Sequence, residues 1–258
     1  MKVPLFVSDR QLRRYRRLRP ATTETWALDS GAFSELQLHG GWAHGPTPAE
    51  YVSRARRYSR QIGRLAWIAQ QDWPCEPIVR FGGVGQGGLR FAGTGASVLE
   101  HQQRTVANLL ELRCLAPELP IAPVLQGWTP TDYRRAVAMF HDAGIDLAAE
   151  PIVGVGSVCR RQGSAQAADI IAAVCQAVPG IRLHGFGVKI AGLLRFGHLL
   201  TSADSMSWSY AARYAPPLPQ CTHSHCTNCR VNRTTAPGGG SRSRRLLSNS
   251  PPRTPALA

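Results

Sequence analysis

The chain has 258 residues and 43% hydrophobic content, enough for one large core or two small ones. Its formal charge of +14, from 30 Lys and Arg against 16 Asp and Glu, implies a polyanionic partner, with nucleic acid the first candidate. No apolar run reaches membrane-spanning length, and the opening residues 1–7 turn polar too soon for a secretory signal; a cytoplasmic, thiol-reducing location is expected.

In chain order, the first feature is basic. Arg10, Arg13, Arg14, Arg16, Arg17 and Arg19 crowd one ten-residue segment around Tyr15. Arg13, Arg14, Arg16 and Arg17 are candidates for phosphate contact, because guanidinium forks match phosphate geometry. A solvated face is the plainer alternative. Thr25 to Leu28 then reads as a strand ending in Asp29-Ser30-Gly31. A helix is predicted from Thr47, with Pro48 at its first position and Glu50 closing a capping box. Its apolar stripe is Tyr51, Val52, Ala55, Tyr58 and Ile62. Residues 65–69 form the next strand, ending near Asp72. Glycine-rich residues 83–88 have no strand feeding into them and no helix opening from them, so they read as a flexible loop rather than a dinucleotide site. Ser97 and Glu100 cap a further helix carrying Val106, Leu109 and Leu110.

The alternation continues. Residues 121–125 form a strand leading to Gln126-Gly127. Thr129-Pro130 opens a helix with Tyr133, Ala136, Val137 and Phe140 inward, stopped by Gly144. Residues 146–152 lead into the turn Gly154-Val155-Gly156-Ser157, residues 164–178 are helical, and 181–184 lead into Gly185-Phe186-Gly187. Leu199-Leu200 leads to Asp204. Strand–helix alternation predicts an α/β fold with parallel strands. A Rossmann-like sheet and a TIM-type (β/α)8 barrel, complete or incomplete, both fit. The barrel is favoured because Asp29, Asp72, Gln126, the 154–157 turn, 185–187 and Asp204 all follow predicted strands, which a barrel gathers on one face.

Near the end, C-x-H-x-x-C-x-x-C brings three of seven cysteines and two of eight histidines into nine residues. Cys221, His223, Cys226 and Cys229 would supply a closed tetrahedral zinc (Zn2+) site, structural because four protein ligands leave no open position. His225 can replace His223, and paired disulfides or inert thiols are the competing reading. The expected organisation is a barrel domain over 1–215, a zinc-binding segment over 216–233, and a basic Pro/Gly/Ser-rich disordered tail over 234–258.

Several of these segments together resemble one superfamily. Asp29-Ser30-Gly31-Ala32-Phe33 is similar to the Asp-Ser-Gly-Gly-aromatic motif of tRNA-guanine transglycosylases. Gln126-Gly127 and Gly185-Phe186-Gly187 resemble their later strand-end motifs, and residues 204–213 resemble their nucleophile segment. The cysteine cluster follows at the expected place, with Cys229 standing where the superfamily has a distal histidine. The subgroup resembled most is the DpdA-type transglycosylases, which place 7-deazapurines in DNA. The segments carrying that likeness are 72–77, 184–189 and the Ser- and Trp-rich residues 205–209.

The resemblance implies a pentosyltransferase that exchanges guanine for a 7-deazaguanine derivative such as 7-cyano-7-deazaguanine, in DNA by preference or in tRNA. Retention at C1′ requires two displacements, hence two carboxylates. Asp204 is the implied nucleophile and Asp29 the general acid and base. As plain structural residues, each would instead cap a turn or helix. Asp72, Gln126, Gly127, Gly154 and Gly185 are expected to hold the purine edge. Phe33 stacks on the flipped base or fills the core. Partner proteins that open the duplex fit the same picture. The alternatives are a noncatalytic, zinc-stabilised nucleic-acid-binding relative, truncated or decayed, and an unrelated barrel glycosidase.

Overall fold

The strands pair in the order in which they occur along the chain. The computed structural model describes residues 4–21, 24–161, 163–206, 210–227 and 229. Along it lie β1 (Leu5–Ser8), α1 (Asp9–Leu12), β2 (Trp26–Asp29), α2 (Ala32–His39), α3 (Pro48–Ile62) and β3 (Leu65–Ala69). Next come α4 (Pro77–Phe81), a hairpin of β4 (Gly83–Val84) and β5 (Arg90–Phe91), α5 (Val98–Leu115), β6 (Ile121–Ala122), β7 (Val124–Leu125) and α6 (Pro130–Asp142). The remainder is β8 (Val153–Val155), α7 (Ala165–Ala177), β9 (Leu183–Gly185), α8 (Ile190–Phe196) and β10 (Ser202–Ala203). The tail after Thr234 and the arginines from Arg230 onward lie outside the described residues, as do Ser207, Trp208 and Ser209.

One ladder runs β1-β2-β3-β6 and the other β7-β8-β9-β10, all parallel. β6 and β7 are one strand interrupted at Pro123, which has no N–H to give a neighbour. The following Val124 N–H is taken by Gln70 Oε1 at 2.9 Å. Among the described residues the order never reverses, so they form no switch point of the Rossmann kind. The mixed α/β fold with parallel sheets is therefore as expected. In place of eight strands in one closed ladder, the described residues give seven parallel strand positions in two ladders, with no pairing between β1 and β10. The last strand is only two residues long, too short for an extended ladder. Side chains nonetheless bring the two ladders together. Phe6 of β1 lies 5.2 Å from Trp67 of β3 and 5.3 Å from His184 of β9, ring centre to ring centre, and Trp67 lies 4.8 Å from His184.

The main core fills the space between the sheet and the helices, with Leu28, Ile68, Leu125, Val153 and Leu183 meeting Tyr51, Tyr58, Leu109, Tyr133 and Ile170. Capping boxes at Thr47/Glu50, Ser97/Glu100 and Thr129/Asp132 fix where α3, α5 and α6 begin, each worth about 1 kcal/mol. Two buried tyrosines tie helix to strand through their hydroxyls: Tyr51 donates to Ala69 O at 2.7 Å and Tyr133 to Gly156 O at 2.5 Å. The glycine-rich loop expected over 83–88 is a hairpin instead. Phe91 is buried with Leu36 and Val79 in a second, small core, which pins the strand that carries it. α2, which sequence periodicity did not announce, closes the other side of that core.

Candidate active site

Because all the parallel strands point the same way, their C-terminal ends share one rim. A cavity of about 710 Å³ opens there. Its wall takes Ser8 from the end of β1, Asp29 from β2, Asp72 after β3, Gln126 after β7, Gly156 and Ser157 after β8, Gly187 after β9 and Asp204 after β10. Phe33, Glu76, Cys159, Phe186 and Met206 complete the part of the wall that bears on chemistry. Asp29, Asp72, Gln126, Asp204 and Phe33, all expected from sequence, are thus gathered around one space.

Asp204 is held from one edge. Gly187 N–H donates to its Oδ1 at 2.9 Å, and His184 Nε2 lies 3.3 Å from the same oxygen. A carboxylate only accepts, so Nε2 carries the proton. His184 Nδ1 lies 2.8 Å from Ser202 Oγ, which fixes the ring. Asp29 stands differently. Gly31 N–H donates to its Oδ1 at 3.1 Å. Burial raises the Asp29 carboxyl above its ordinary range, opposed by the Gly31 N–H and reinforced by the charge of Asp204.

Asp72 and Gln126 form a pair at the back of the cavity. Gln126 Nε2 donates to Asp72 Oδ2 at 2.5 Å, and Ser157 Oγ donates to Gln126 Oε1 at 2.7 Å. The amide orientation of Gln126 is therefore set by a donor on one side and an acceptor on the other. Burial pushes Asp72 up to about 7, with the Gln126 hydrogen bond acting the other way and the charges of Asp29 and Glu76 adding to the rise. Glu76 is raised by burial too, countered first by the Arg160 guanidinium. Gly156 is required here: a Cβ on it would overlap the Gln126 amide.

Three glycines expected to line the base site lie one layer back. A Cβ on Gly127 would meet Asp132 and Tyr133 at 2.9 Å, one on Gly154 would meet Phe186 at 2.5 Å, and one on Gly185 would meet Val188 at 2.7 Å. They let strands and side chains close up, while Gly156 and Gly187 face the cavity. Glu76, Ser157 and His184 were missed as site residues. Glu76 and His184 sit inside segments the sequence singled out, but a lone carboxylate or imidazole carries no address. Ser157 has φ +54°, a left-handed conformation that no sequence pattern announces.

The basic segment divides. Arg13 lies 3.2 Å and Arg10 3.8 Å from the buried Glu35, so both help seat the segment on α2. Arg14, Arg16 and Arg17 are exposed, and the segment leaves the cavity rim just after Gln11. At the other end, one ligand atom from each of Cys221, His223, Cys226 and Cys229 lies within 4.8 Å of the others. His223 Nε2 is 3.2 Å from Cys226 Sγ, and Cys221 Sγ is 3.5 Å from Cys229 Sγ. His223, not His225, completes the group, which has the donor set and spacing to bind a metal ion. No helix among the described residues is long and apolar enough to cross a membrane.

The sequence model of one family, described as DpdA: DeoxyPurine in DNA protein A, matches residues 1–234. No curated protein matches the chain.

Proposed function

The chain belongs to this DpdA family, and on that premise we propose that it exchanges guanine in DNA for a 7-deazaguanine base such as 7-cyano-7-deazaguanine. Membership supports a transglycosylase-type role in 7-deazapurine modification of DNA. The finer chemistry proposed here rests on one observation: two aspartates in unlike surroundings share a cavity.

Asp204, held at Oδ1 by Gly187 and His184, attacks C1′ of the target nucleotide through its other oxygen. The C1′–N9 bond breaks and its electron pair leaves with guanine. Asp29 supplies the proton that the departing base needs; burial raises its carboxyl, so it holds that proton more readily than an exposed aspartate would. The incoming 7-deazaguanine gives its proton back to Asp29, its nitrogen attacks C1′, and the Asp204 ester is released. Two inversions give retention. Asp72 accepts from the ring N–H and exocyclic amine of the purine, with Gln126 fixing its orientation. Phe33 offers a ring face to the flipped base. Cys221, His223, Cys226 and Cys229 would hold zinc as a cross-link of the terminal segment, remote from the chemistry.

The test is covalent trapping. Wild-type protein and guanine-containing oligonucleotides of DNA and of tRNA sequence are mixed and run on denaturing gels. The wild type should form an adduct with DNA, and Asp204→Ala should form none. Adduct at the wild-type level with Asp204→Ala would remove Asp204 as nucleophile. Adduct with tRNA alone would move the substrate from DNA to tRNA. Inactivity of the wild type on both would favour a noncatalytic nucleic-acid-binding relative.

A further inference from the structure

Between β3 and α5 the chain makes an excursion, residues 70–97, at the cavity end of the sheet. Its hairpin is built with two unlike faces. Paired residues of an antiparallel ladder share a face. Gly83 pairs with Phe91 and Val84 with Arg90. The Phe91 face turns inward, onto Leu36 and Val79. Gly85 allows this, since a Cβ there would lie 2.9 Å from the Phe91 ring and 3.1 Å from Ile78. Hydrogen bonds to α2 hold the hairpin down: Ala92 N–H donates to Gln37 O at 2.9 Å, and the Gln37 side-chain Nε2 donates to Arg90 O at 3.2 Å.

Away from that contact the hairpin is bare: Val84 lies on the face opposite Phe91, and Leu89, opposite Gly85, stands exposed at the turn. Val84 is 66% exposed, Leu89 50% and Phe81, at the foot of the hairpin, 72%. Each has a cation close by in the chain: Arg90 is the cross-strand partner of Val84, and the Arg80 guanidinium lies 4.7 Å from the centre of the Phe81 ring. The hairpin also abuts the cavity. Phe33 of the cavity wall packs edge-on against Phe91 at 5.8 Å.

We propose that this hairpin is a DNA wedge: Val84 and Leu89 enter the gap left when the target guanosine leaves its stack, and Arg80 and Arg90 bind the flanking phosphates. It rests on the base-exchange reading given above. A base inside a duplex must leave its stack before a nucleophile can reach C1′, and proteins that open or kink duplexes insert apolar side chains between base steps. Apolar tips set beside arginines, on a chain of net charge +14, fit a polyanion with an apolar stack inside it. They suit an apolar protein partner less well.

The test uses full-length protein and oligonucleotides with 2-aminopurine next to the target guanine. Wild-type protein should raise 2-aminopurine fluorescence on duplex DNA. The double variant Val84→Ser/Leu89→Ser should lose that rise, and its exchange rate should fall at least about tenfold more on duplex than on single-stranded DNA, since only the duplex must be opened. Arg90→Gln, which leaves the apolar tips in place, should keep the fluorescence rise at saturating protein but weaken duplex affinity and flatten its salt dependence. Matching thermal unfolding of variants and wild type confirms folding. A double variant that still raises fluorescence on duplex, or loses exchange equally on both substrates, would overturn the wedge. Exchange can fail while fluorescence still depends on Val84 and Leu89. In that case the chemistry is wrong and the wedge stands.

Discussion

Binding of the incoming base should tighten as pH rises through about 7. Asp72 is buried, and its carboxyl is pushed up to about 7 in the free protein. To accept from a purine ring N–H and amine together it must be ionised, so below that pH binding has to displace a proton. Each pH unit below the pKa costs about tenfold in affinity. The apparent Kd for 7-cyano-7-deazaguanine should therefore be roughly tenfold weaker at pH 6 than at pH 8. Stability should move the other way. The fold raises this carboxyl from 3.8, so it favours the protonated form. The associated stability is present at acid pH and is lost as pH climbs from about 4 to about 7, the loss reaching about 4 kcal/mol by pH 8. Asp72→Asn keeps a carbonyl for the Gln126 amide and removes the titration. Calorimetry at three pH values, in two buffers of different ionisation enthalpy, reads both affinity and proton release. Urea unfolding of wild type and Asp72→Asn at pH 5 and pH 8 reads the stability arm. A wild-type affinity that is flat or falls with rising pH would refute the assignment of Asp72 to the purine edge. Equal pH dependence of unfolding in the two proteins would refute the buried-carboxyl argument itself.

The metal site predicts about one zinc per chain in freshly purified, reduced protein, with Cys226→Ala losing it and lowering Tm, because binding at such a loop is coupled to folding; elemental analysis finding no metal in the wild type would refute it. Replacing Arg14, Arg16 and Arg17 by Ala should reduce the log Kd versus log salt slope on duplex DNA by up to about 2.7, at about 0.9 per phosphate contact, and an unchanged slope would return those residues to a solvated surface. Arg13→Ala should act differently, lowering stability more than the salt slope, since it leaves the buried Glu35 with one arginine fewer. Gly156→Ala should force Gln126 away from Asp72, costing about 1–3 kcal/mol of stability and weakening affinity for the incoming base; unchanged affinity would mean that the Asp72–Gln126 pair does not read the base.

Much of the fold was legible because the long helices announce themselves locally. Thr47-Pro48 with Glu50 and Thr129-Pro130 with Asp132 specify helix starts within four residues, and each strand they follow carries an apolar run. The elements that were not legible depend on distant partners. α2 starts at Gly31 with φ +81° and no side-chain cap, and its buried face, through Leu36, is defined by Phe91 from fifty-five residues later. The hairpin reads as a glycine-rich loop because Gly87 and Gly88 serve its turn with positive φ, while Gly85 marks close packing against Phe91 and Ile78 that exists only in three dimensions. The same limit applies at the site. The aspartates follow strands and so could be named from the sequence. Gly154 and Gly156 share a face of the chain, and which of them meets the cavity is decided by where β8 ends and by the Phe186 ring packed on Gly154, neither of which the sequence shows.

The unlike surroundings of the carboxyls give the proposed roles their physical basis. A chain of charge +14 gathers Asp29, Asp72, Glu76 and Asp204 around one cavity, and four close negative charges there would repel a polyanion. Burial lessens the problem by favouring the protonated forms of Asp29, Asp72 and Glu76. Asp204 lies beside an N–H from Gly187 and the ring of His184. In the proposed reading, approaching DNA meets exposed arginines at 14, 16 and 17 and a cavity whose charge is partly masked by protons. Asp29 can serve as acid first and base second only if its carboxyl is raised above the ordinary aspartate range, as burial does here. The burial that masks its charge from the backbone phosphates is the same burial that keeps the proton available. Opening Asp29 to water would therefore harm DNA binding and base departure together, a coupling that a purely orienting role for Asp29 would not produce.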